Sequence, residues 1–457
     1  MTKRLLHILT CSSLVCYALL AAWSSSASAD KIKAIEIANN TKTTDETVLL
    51  IARVEVGDDF APEDVARVTS ALKASGLFNE DKVAVFTTPM IGGVKLTILA
   101  KDKHSWIIAP TVYNQPTNKG GGVGFGENNL FGTNKKLLLY GQIATGDSFF
   151  LGAYVDPAIK GSRFRWGYDV FLRRERLIEY AVPQKFKGDT LPVRQSKLNY
   201  LNSGLRIGMN VFGKFFLDVR ARGANVFYDD VKLAEDATLA DVTPDPMATV
   251  VPNPGREGWD LSTEVILQKN TRASWLGISE GDIYQVAYET SLDGLGSDFS
   301  YWYTTVSYLR ARRFYKKHNW IIRGQFAYGK NVPVQHEFTS GGVRLRGYKN
   351  DQMRGNVMGV VNAEYSLPLF AIKGFGVRAL AFWDTSYTAF VNTGRNMSRN
   401  YLPRHEHKGL APFKNSVGIG TRVFARSIIL PLLGVDVGYG LERGAFEVYL
   451  AIGLTDF

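Results

Sequence analysis

Three short stretches of the chain carry residue types whose spacing could support chemistry. The string GISEG at 277–281 places Ser279 between flanking glycines, the spacing of a nucleophile elbow. Such a serine acts only on a sharp turn from a buried strand into a helix, with an acid and a histidine to activate it. Here both flanking segments alternate like strands, so the string reads as a short turn between two strands. RHEHK at 404–408 sets His405 and His407 two apart with Glu406 between them. On a strand the two imidazoles share a face and could begin a zinc site. No third ligand is evident, so the stretch reads as a solvated loop. The third stretch, GGVRLRGYKN at 341–350, spaces Arg344 and Arg346 two apart between a glycine pair and Gly347-Tyr348. Such arginines can sit at a solvated tip, bind an anion, or be buried against a carboxylate, since an unpaired buried guanidinium is costly. By itself the stretch leaves all three open.

The elements that must position these residues begin after a leader. Lys3 and Arg4 precede an apolar stretch at 5–23 and a small-residue run ending in Ala27-Ser28-Ala29. That pattern predicts a secretory signal over 1–29, cleaved before Asp30, with an N-terminal membrane anchor as the alternative. Both cysteines, Cys11 and Cys16, lie inside it. The rest of the chain therefore has no disulfide, thiolate metal ligand or cysteine nucleophile. Setting aside Lys3 and Arg4 leaves 52 basic against 43 acidic residues, a net charge of +9. For an exported chain that balance suits polyanionic lipid or a polar channel lining better than nucleic acid. No later run of about 18 apolar residues predicts a membrane-spanning helix. Aromatic residues make up 12% of the chain and glycines number 44, which points to β-structure in an outer membrane.

Two regions differ in period. Residues 30–103 read as strand, helix, helix, strand, strand. The helices are predicted at 44–54 and 62–76, the second opened by Pro62, Glu63 and Asp64, stopped by Gly76, and apolar along Val65, Val68 and Leu72. Strands are predicted at 81–88 and 92–100. From 104 to 457 alternation takes over. Phe164, Trp166, Tyr168, Val170 and Leu172 share one side of a strand, with Arg163, Arg165, Gly167 and Asp169 on the other. Phe215, Leu217 and Val219 stand opposite Asp218, Arg220 and Arg222 in the same way, and Tyr284, Val286 and Tyr288 oppose Gln285 and Glu289. Charges on one face and aromatics on the other imply water on one side and a second apolar medium on the other. About sixteen strands fit between Trp106 and the terminus. The long connections (175–193, 228–257, 331–355 and 385–412) all fall on one face, with short turns on the other, as in transmembrane barrels.

The stretches IKAIEIANNTKT, VEVGDDF, LKASGLFNEDKVAVF and GGVKLTIL together resemble one POTRA domain, the periplasmic module that precedes the barrel of BamA, TamA and two-partner-secretion translocators. Further motifs resemble the barrel of the same superfamily, also known as the bacterial surface antigen family, in the expected order. They are GGGVGFGENNLFGTN at 120–134, GGVRLRGY at 341–348, GNVMGVVNAEYSLPLF at 355–370, and the Phe382-Trp383-Asp384 step, followed by SVGIGTRV and the late Pro431 and Asp436. A single POTRA departs from BamA-type assembly factors, which have several. The start after the leader also lacks the plug helix and proline-rich linker of two-partner translocators.

The resemblance implies a barrel of about sixteen antiparallel strands in an outer membrane, with the small α+β domain in the periplasm. It assigns GGVRLRGY to a lumen-folded extracellular loop whose key positions are Leu345, Arg346, Gly347 and Tyr348, with Arg344 outside the motif. It makes Asp384 the expected carboxylate partner of Arg346, with Glu364 as runner-up. It implies a non-enzymatic insertase or translocator of unfolded outer-membrane or secreted polypeptides, working among outer-membrane lipids, with accessory periplasmic or lipoprotein subunits as further partners and no cofactor. A dedicated secretion pore for one exported partner, and a non-translocating receptor barrel, are the alternatives. Client segments would add to the edge formed by Asp81, Lys82, Val83, Ala84, Val85, Phe86, Thr87 and Thr88. A weak seam would join the first strand, 106–114, to the last, 446–456. In that last strand Phe446, Val448, Leu450, Ile452 and Leu454 alternate cleanly, and the terminal Phe457 is displaced by one residue. A terminal aromatic strand of this kind is the signal by which such barrels are themselves inserted.

Overall fold

The computed structural model describes residues 30–180, 191–243, 245–275, 277–315, 317–372, 374–391, 413–425 and 431–453. The leader, the triplet His405, Glu406 and His407, and Leu454 and Phe457 of the terminal strand lie outside the described residues. The chain divides into two compact units, Met1–Ser105 with Asn129–Asn134, and Trp106–Asn128 with Lys135–Phe457.

The amino-terminal unit is a mixed sheet packed on two helices. Its elements are β1 (Asp30–Ala38), α1 (Asp45–Ala52), β2 (Asp59–Phe60), α2 (Pro62–Ala74), β3 (Phe78–Met90) and β4 (Gly93–Asp102). Thr44 caps α1 by accepting from the Thr47 amide, and Asp64 accepts from the Ala61 amide at the start of α2. The short β2 is not apparent from the periodicity; it pairs with β1 through only Asp30 and Lys31. Sheet order is β2-β1-β4-β3, with β1 parallel to β4. Ile32, Val68, Leu72, Leu96 and Ile98 are fully buried between sheet and helices, and Val65 packs against them partly buried. Burying each such side chain stabilises the unit by about 1.5–3 kcal/mol.

The second unit is a closed antiparallel barrel. Its strands are β5 (Trp106–Asn114), β6 (Lys119–Leu130), β7 (Lys135–Ala144), β8 (Asp147–Asp156), β9 (Phe164–Tyr180), β10 (Pro192–Phe212), β11 (Phe215–Leu233) and β12 (Gly258–Asn270). After a three-residue strand, β13 (Ala273–Trp275), the wall continues with β14 (Ile278–Ser291), β15 (Tyr301–Phe314) and β16 (His318–Lys330). Two more short strands, β17 (Phe338–Ser340) and β18 (Met353–Gly355), pair only with each other inside the following loop. The barrel is completed by β19 (Val357–Ile372), β20 (Phe375–Ala389), β21 (Lys414–Ala425), β22 (Pro431–Gly440) and β23 (Ala445–Gly453), and β23 closes on β5. Without the three short strands, sixteen strands span the wall.

Alternation places the side chains as the two-medium pattern requires. Phe164, Tyr168 and Leu172 on β9 and Tyr284, Val286 and Tyr288 on β14 are exposed on the outer face. On the inner face Arg165 pairs with Asp218, and Arg220 pairs with Asp169, across β9–β11. An outward apolar belt around a closed sheet with an ion-paired lumen is the architecture of an outer-membrane barrel. No helix among the described residues is long and apolar enough to cross a membrane.

Some expected boundaries move. The connection expected at 175–193 narrows to 181–191, because β9 runs on to Tyr180 and β10 starts at Pro192. GISEG is not a turn. Ile278 already begins β14, Ser279 is buried and paired with Ser274 of β13, and the turn proper precedes it. The Ser279 hydroxyl bonds the Ser274 hydroxyl at 2.7 Å, while its backbone is held by Asn319. Neither contact is the acid–histidine relay that an elbow serine needs.

Candidate functional site

The loop joining β16 to β19 folds into the barrel and delivers Arg346 to its inner wall. Arg346 Nε and Nη2 donate to the two oxygens of Asp384, each at 2.8 Å, a bidentate fork. Nη1 donates to Glu364 at 2.8 Å and to Asp436 at 3.1 Å. The guanidinium also lies 3.4 Å from the ring centre of Phe382, which covers its face. The Arg346 side chain is 3% exposed and Asp384 fully buried. Two more arginines complete the cluster: Arg323 pairs with Glu364 at 3.1 Å, and Arg422 grips Asp436 through both Nη atoms at 2.5 and 2.8 Å. Three guanidinium groups therefore meet three carboxylates. Arg323, Glu364, Asp384, Arg422 and Asp436 come one each from β16, β19, β20, β21 and β22, five neighbouring strands of the wall.

The rest of the motif explains how the loop reaches that depth. Gly347 has φ +95°, and a Cβ there would sit 2.5 Å from the Gly440 nitrogen. Only glycine satisfies both demands. On β22, a Cβ at Gly438 would meet the Gly347 nitrogen at 2.7 Å, so the wall is itself thinned where the loop lies. The Gly347 amide donates to Tyr449 Oη at 2.9 Å, and that hydroxyl donates to the Tyr348 carbonyl at 2.8 Å. Tyr348 Oη donates to Glu442 at 2.5 Å. Leu345 and Tyr449 are fully buried. Arg344 is exposed, and among the described residues its guanidinium bonds only the Thr339 carbonyl, at 3.1 Å. Sequence reasoning did not single out Asp436, Arg323, Arg422 or Tyr449 as companions of the motif. The available signal was their phase, since each lies on the water-facing side of its strand.

Two further expected sites can be located. In the amino-terminal unit β3 is an edge strand whose one neighbour is β4. Val83, Ala84, Val85, Phe86, Thr87 and Thr88 run in register with β4, with Ala84, Phe86, Thr87 and Thr88 exposed, whereas Asp81 and Lys82 fall in an irregular stretch before it. At the barrel seam β23 pairs β5 through four register pairs among the described residues, from Leu450↔Asn114 to Gly453↔Thr111. Gly453 has φ +103°, and a Cβ there would fall 2.1 Å from the Pro110 carbonyl oxygen. Pro110 has no N–H to offer a ladder. In the seam strand Phe446, Val448 and Ile452 are exposed on the outer face, with Leu450 partly exposed.

The comparisons with known proteins agree with this anatomy. The Omp85 superfamily domain matches residues 129–441. Over 414 residues the chain is 21% identical to the outer membrane protein assembly factor BamA of Nitratidesulfovibrio vulgaris, covering 86% of this chain and 46% of that relative, so it spans about half the relative's length. BamA from Haemophilus ducreyi lacking POTRA domains 1-3 superposes with a TM-score of 0.65 at 15% identity, over 93% of this chain and 84% of that one. CdiB from Acinetobacter baumannii gives 0.60 at 16% identity, over 93% and 74%. At these identities the structures speak for the fold, and the domain match speaks for the family. With its lumen loop, inner-wall charges and closed barrel all inside the matched region or beside it, the chain belongs to the Omp85 superfamily.

Proposed function

We propose that this protein inserts or translocates client polypeptides at the outer membrane, capturing extended segments on the open edge of β3 and templating them at the β5–β23 seam. The observation that carries the reading is the seam. β5 ends at Asn114, opposite Leu450, so among the described residues Ala445–Tyr449 of β23 have β22 as their one strand neighbour, and an unpaired edge is a template for an incoming strand. The lumen loop supports it, because Tyr449 ties the loop to the very strand that must yield. The relative named as an assembly factor matches 86% of this chain, though 46% of its own length, which favours insertion as the activity.

The test is depletion followed by complementation. Tyr113 and Ala451 face each other across the seam, at the separation of antiparallel partners that a disulfide can bridge. Residues 30–457 contain no other cysteine to compete. A Tyr113→Cys/Ala451→Cys protein should complement when reduced and fail when oxidised. Loss of many barrel proteins on depletion supports insertion. Loss of one exported protein alone supports a dedicated secretion pore. If neither the barrel proteome nor any secreted protein changes, both readings fall.

A further inference from the structure

The short-turn end of the lumen holds two arginines, Arg272 and Arg378, that the loop cluster does not absorb. Arg378 on β20 and Arg422 on β21 are direct cross-strand partners, and both are buried, at 4% and 7% exposure. Like charges placed opposite each other repel. Arg422 is neutralised by Asp436, whereas no carboxylate among the described residues pairs with Arg378. Its Nη2 donates to the Lys317 carbonyl at 2.9 Å, the Ser366 carbonyl at 3.2 Å and the Ser366 hydroxyl at 2.9 Å, all neutral oxygens. Its Nε is buried and has no partner among the described residues. A guanidinium in that position carries a full charge out of water with no carboxylate among the described residues to balance it, an expense of several kcal/mol in a folded protein.

Beside Arg378 is a cavity of about 90 Å³, also lined by Arg272, Arg323 and Arg422. One carboxylate, Glu364, shares the lining, and it is already taken by Arg346 and Arg323. The β13–β14 turn lies over this space: a Cβ on Gly277 would fall 2.3 Å from the Phe424 ring and 2.7 Å from Arg378 Cδ. With Arg323 held by Glu364 and Arg422 by Asp436, the two further arginines of the lining, Arg272 and Arg378, and the small walled volume make a receptor for negative charge.

We propose that this cavity is a binding site for one small oxyanion, a phosphate or a carboxylate, with Arg378 as its principal ligand and Arg272 closing it from the mouth. The anion supplies the charge that the like-charged pair of β20 and β21 lacks, and pins the β13–β14 turn against the opposite wall. The site is separate from the seam and does not depend on the insertase reading.

Calorimetric titration of the full chain in detergent micelles tests it, with inorganic phosphate and acetate as probes and chloride keeping ionic strength constant. Saturable one-to-one binding of either probe is expected. Phosphate alone identifies a tetrahedral oxyanion, acetate alone a carboxylate. Arg378→Gln should weaken binding about tenfold to hundredfold, the loss of a charge-assisted hydrogen-bond donor, while Arg344→Gln leaves it unchanged. A heat-modifiable band on a cold detergent gel checks that each variant is folded. If Arg378→Gln does not fold, Arg272→Gln replaces it with the same expectation of weakened binding. No saturable signal from either probe in the wild type, or wild-type affinity in the folded arginine variant, overturns the proposal.

Discussion

Replacing Arg346 with alanine isolates the central strut of the barrel. The substitution removes four charge-assisted hydrogen bonds, two to Asp384 and one each to Glu364 and Asp436. The three carboxylates are not left equally exposed to that loss. Asp436 keeps its fork with Arg422, and Glu364 keeps Arg323. Asp384, fully buried, loses the cation that both its oxygens face and keeps, among the described residues, only the backbone amide of residue 346, at 3.2 Å. Breaking a buried pair from one side costs about 3–5 kcal/mol, because an uncompensated charge remains. The exposed Arg344, bonded to one carbonyl, falls among surface changes worth about 0.5 kcal/mol or less. Urea unfolding of the barrel refolded into lipid vesicles measures the difference. With a slope of about 3 kcal/mol/M, Arg346→Ala should lower the midpoint by about 1–2 M, and Arg344→Ala should barely move it. The double variant Arg346→Ala/Asp384→Ala should cost less than the sum of its parts, with a coupling of about 1–3 kcal/mol. Equal midpoints for the two arginine variants, or strict additivity in the cycle, would refute the assignment of Arg346 as the buried partner of Asp384.

Gly347→Ala should push the loop off the wall, since the added carbon meets backbone on β22 and the left-handed φ is strained for alanine by about 1–3 kcal/mol. Single-channel conductance in planar bilayers should rise as the lumen empties, and unchanged conductance with an intact barrel would count against the loop as the plug. In the amino-terminal unit, burial raises the pKa of Asp102, but hydrogen bonds from Thr43 and from the amides of Thr41 and Lys42, the latter two at 2.6 Å, outweigh it and hold the carboxyl below its ordinary value. A depressed folded pKa contributes stability above the unfolded value, near pH 4, and that contribution is lost as pH falls through the folded value. Amide exchange at residues 41–43, corrected for intrinsic rates, should therefore lose protection below about pH 4 in the wild type, and Asp102→Asn should abolish that pH dependence.

The barrel was legible because its two media impose a strict period on the residues. Arg165, Asp169, Asp218 and Arg220 must face water and Phe164, Tyr168 and Val219 lipid, so a reader of the sequence sees the wall directly. The boundaries were less legible. Nothing in the alternation distinguishes a strand that stops at the membrane surface from one like β9 that runs on to Tyr180. The turn at GISEG was misplaced for a related reason, as a three-residue strand such as β13 has too few residues to display a period. The motif around Arg346 offered one arginine and two candidate acids. Its remaining members were hidden because neighbours across the lumen are separated by up to 102 residues along the chain, and alternation fixes the face of a side chain but not its height on the wall.

The composition of that cluster has a consequence for how the loop holds its register. If the loop slid by one residue, Leu345 or Gly347 would meet the five-strand floor, and three buried carboxylates would face only Arg323 and Arg422. An apolar contact tolerates such a slip at the cost of some packing, whereas a buried charge imbalance costs several kcal/mol at once. The Tyr449 hydroxyl adds a second check one residue along, since it serves the Gly347 amide and the Tyr348 carbonyl together. The glycine wall of β22 then admits the backbone only where no side chain follows, at Gly347. Charge balance, hydrogen-bond satisfaction and steric clearance each select the same register independently. A loop fixed in this way transmits a displacement of β23 to the ion-paired floor instead of absorbing it, so an opening at the seam must be resisted by a cluster whose last strand, β22, is the direct neighbour of β23.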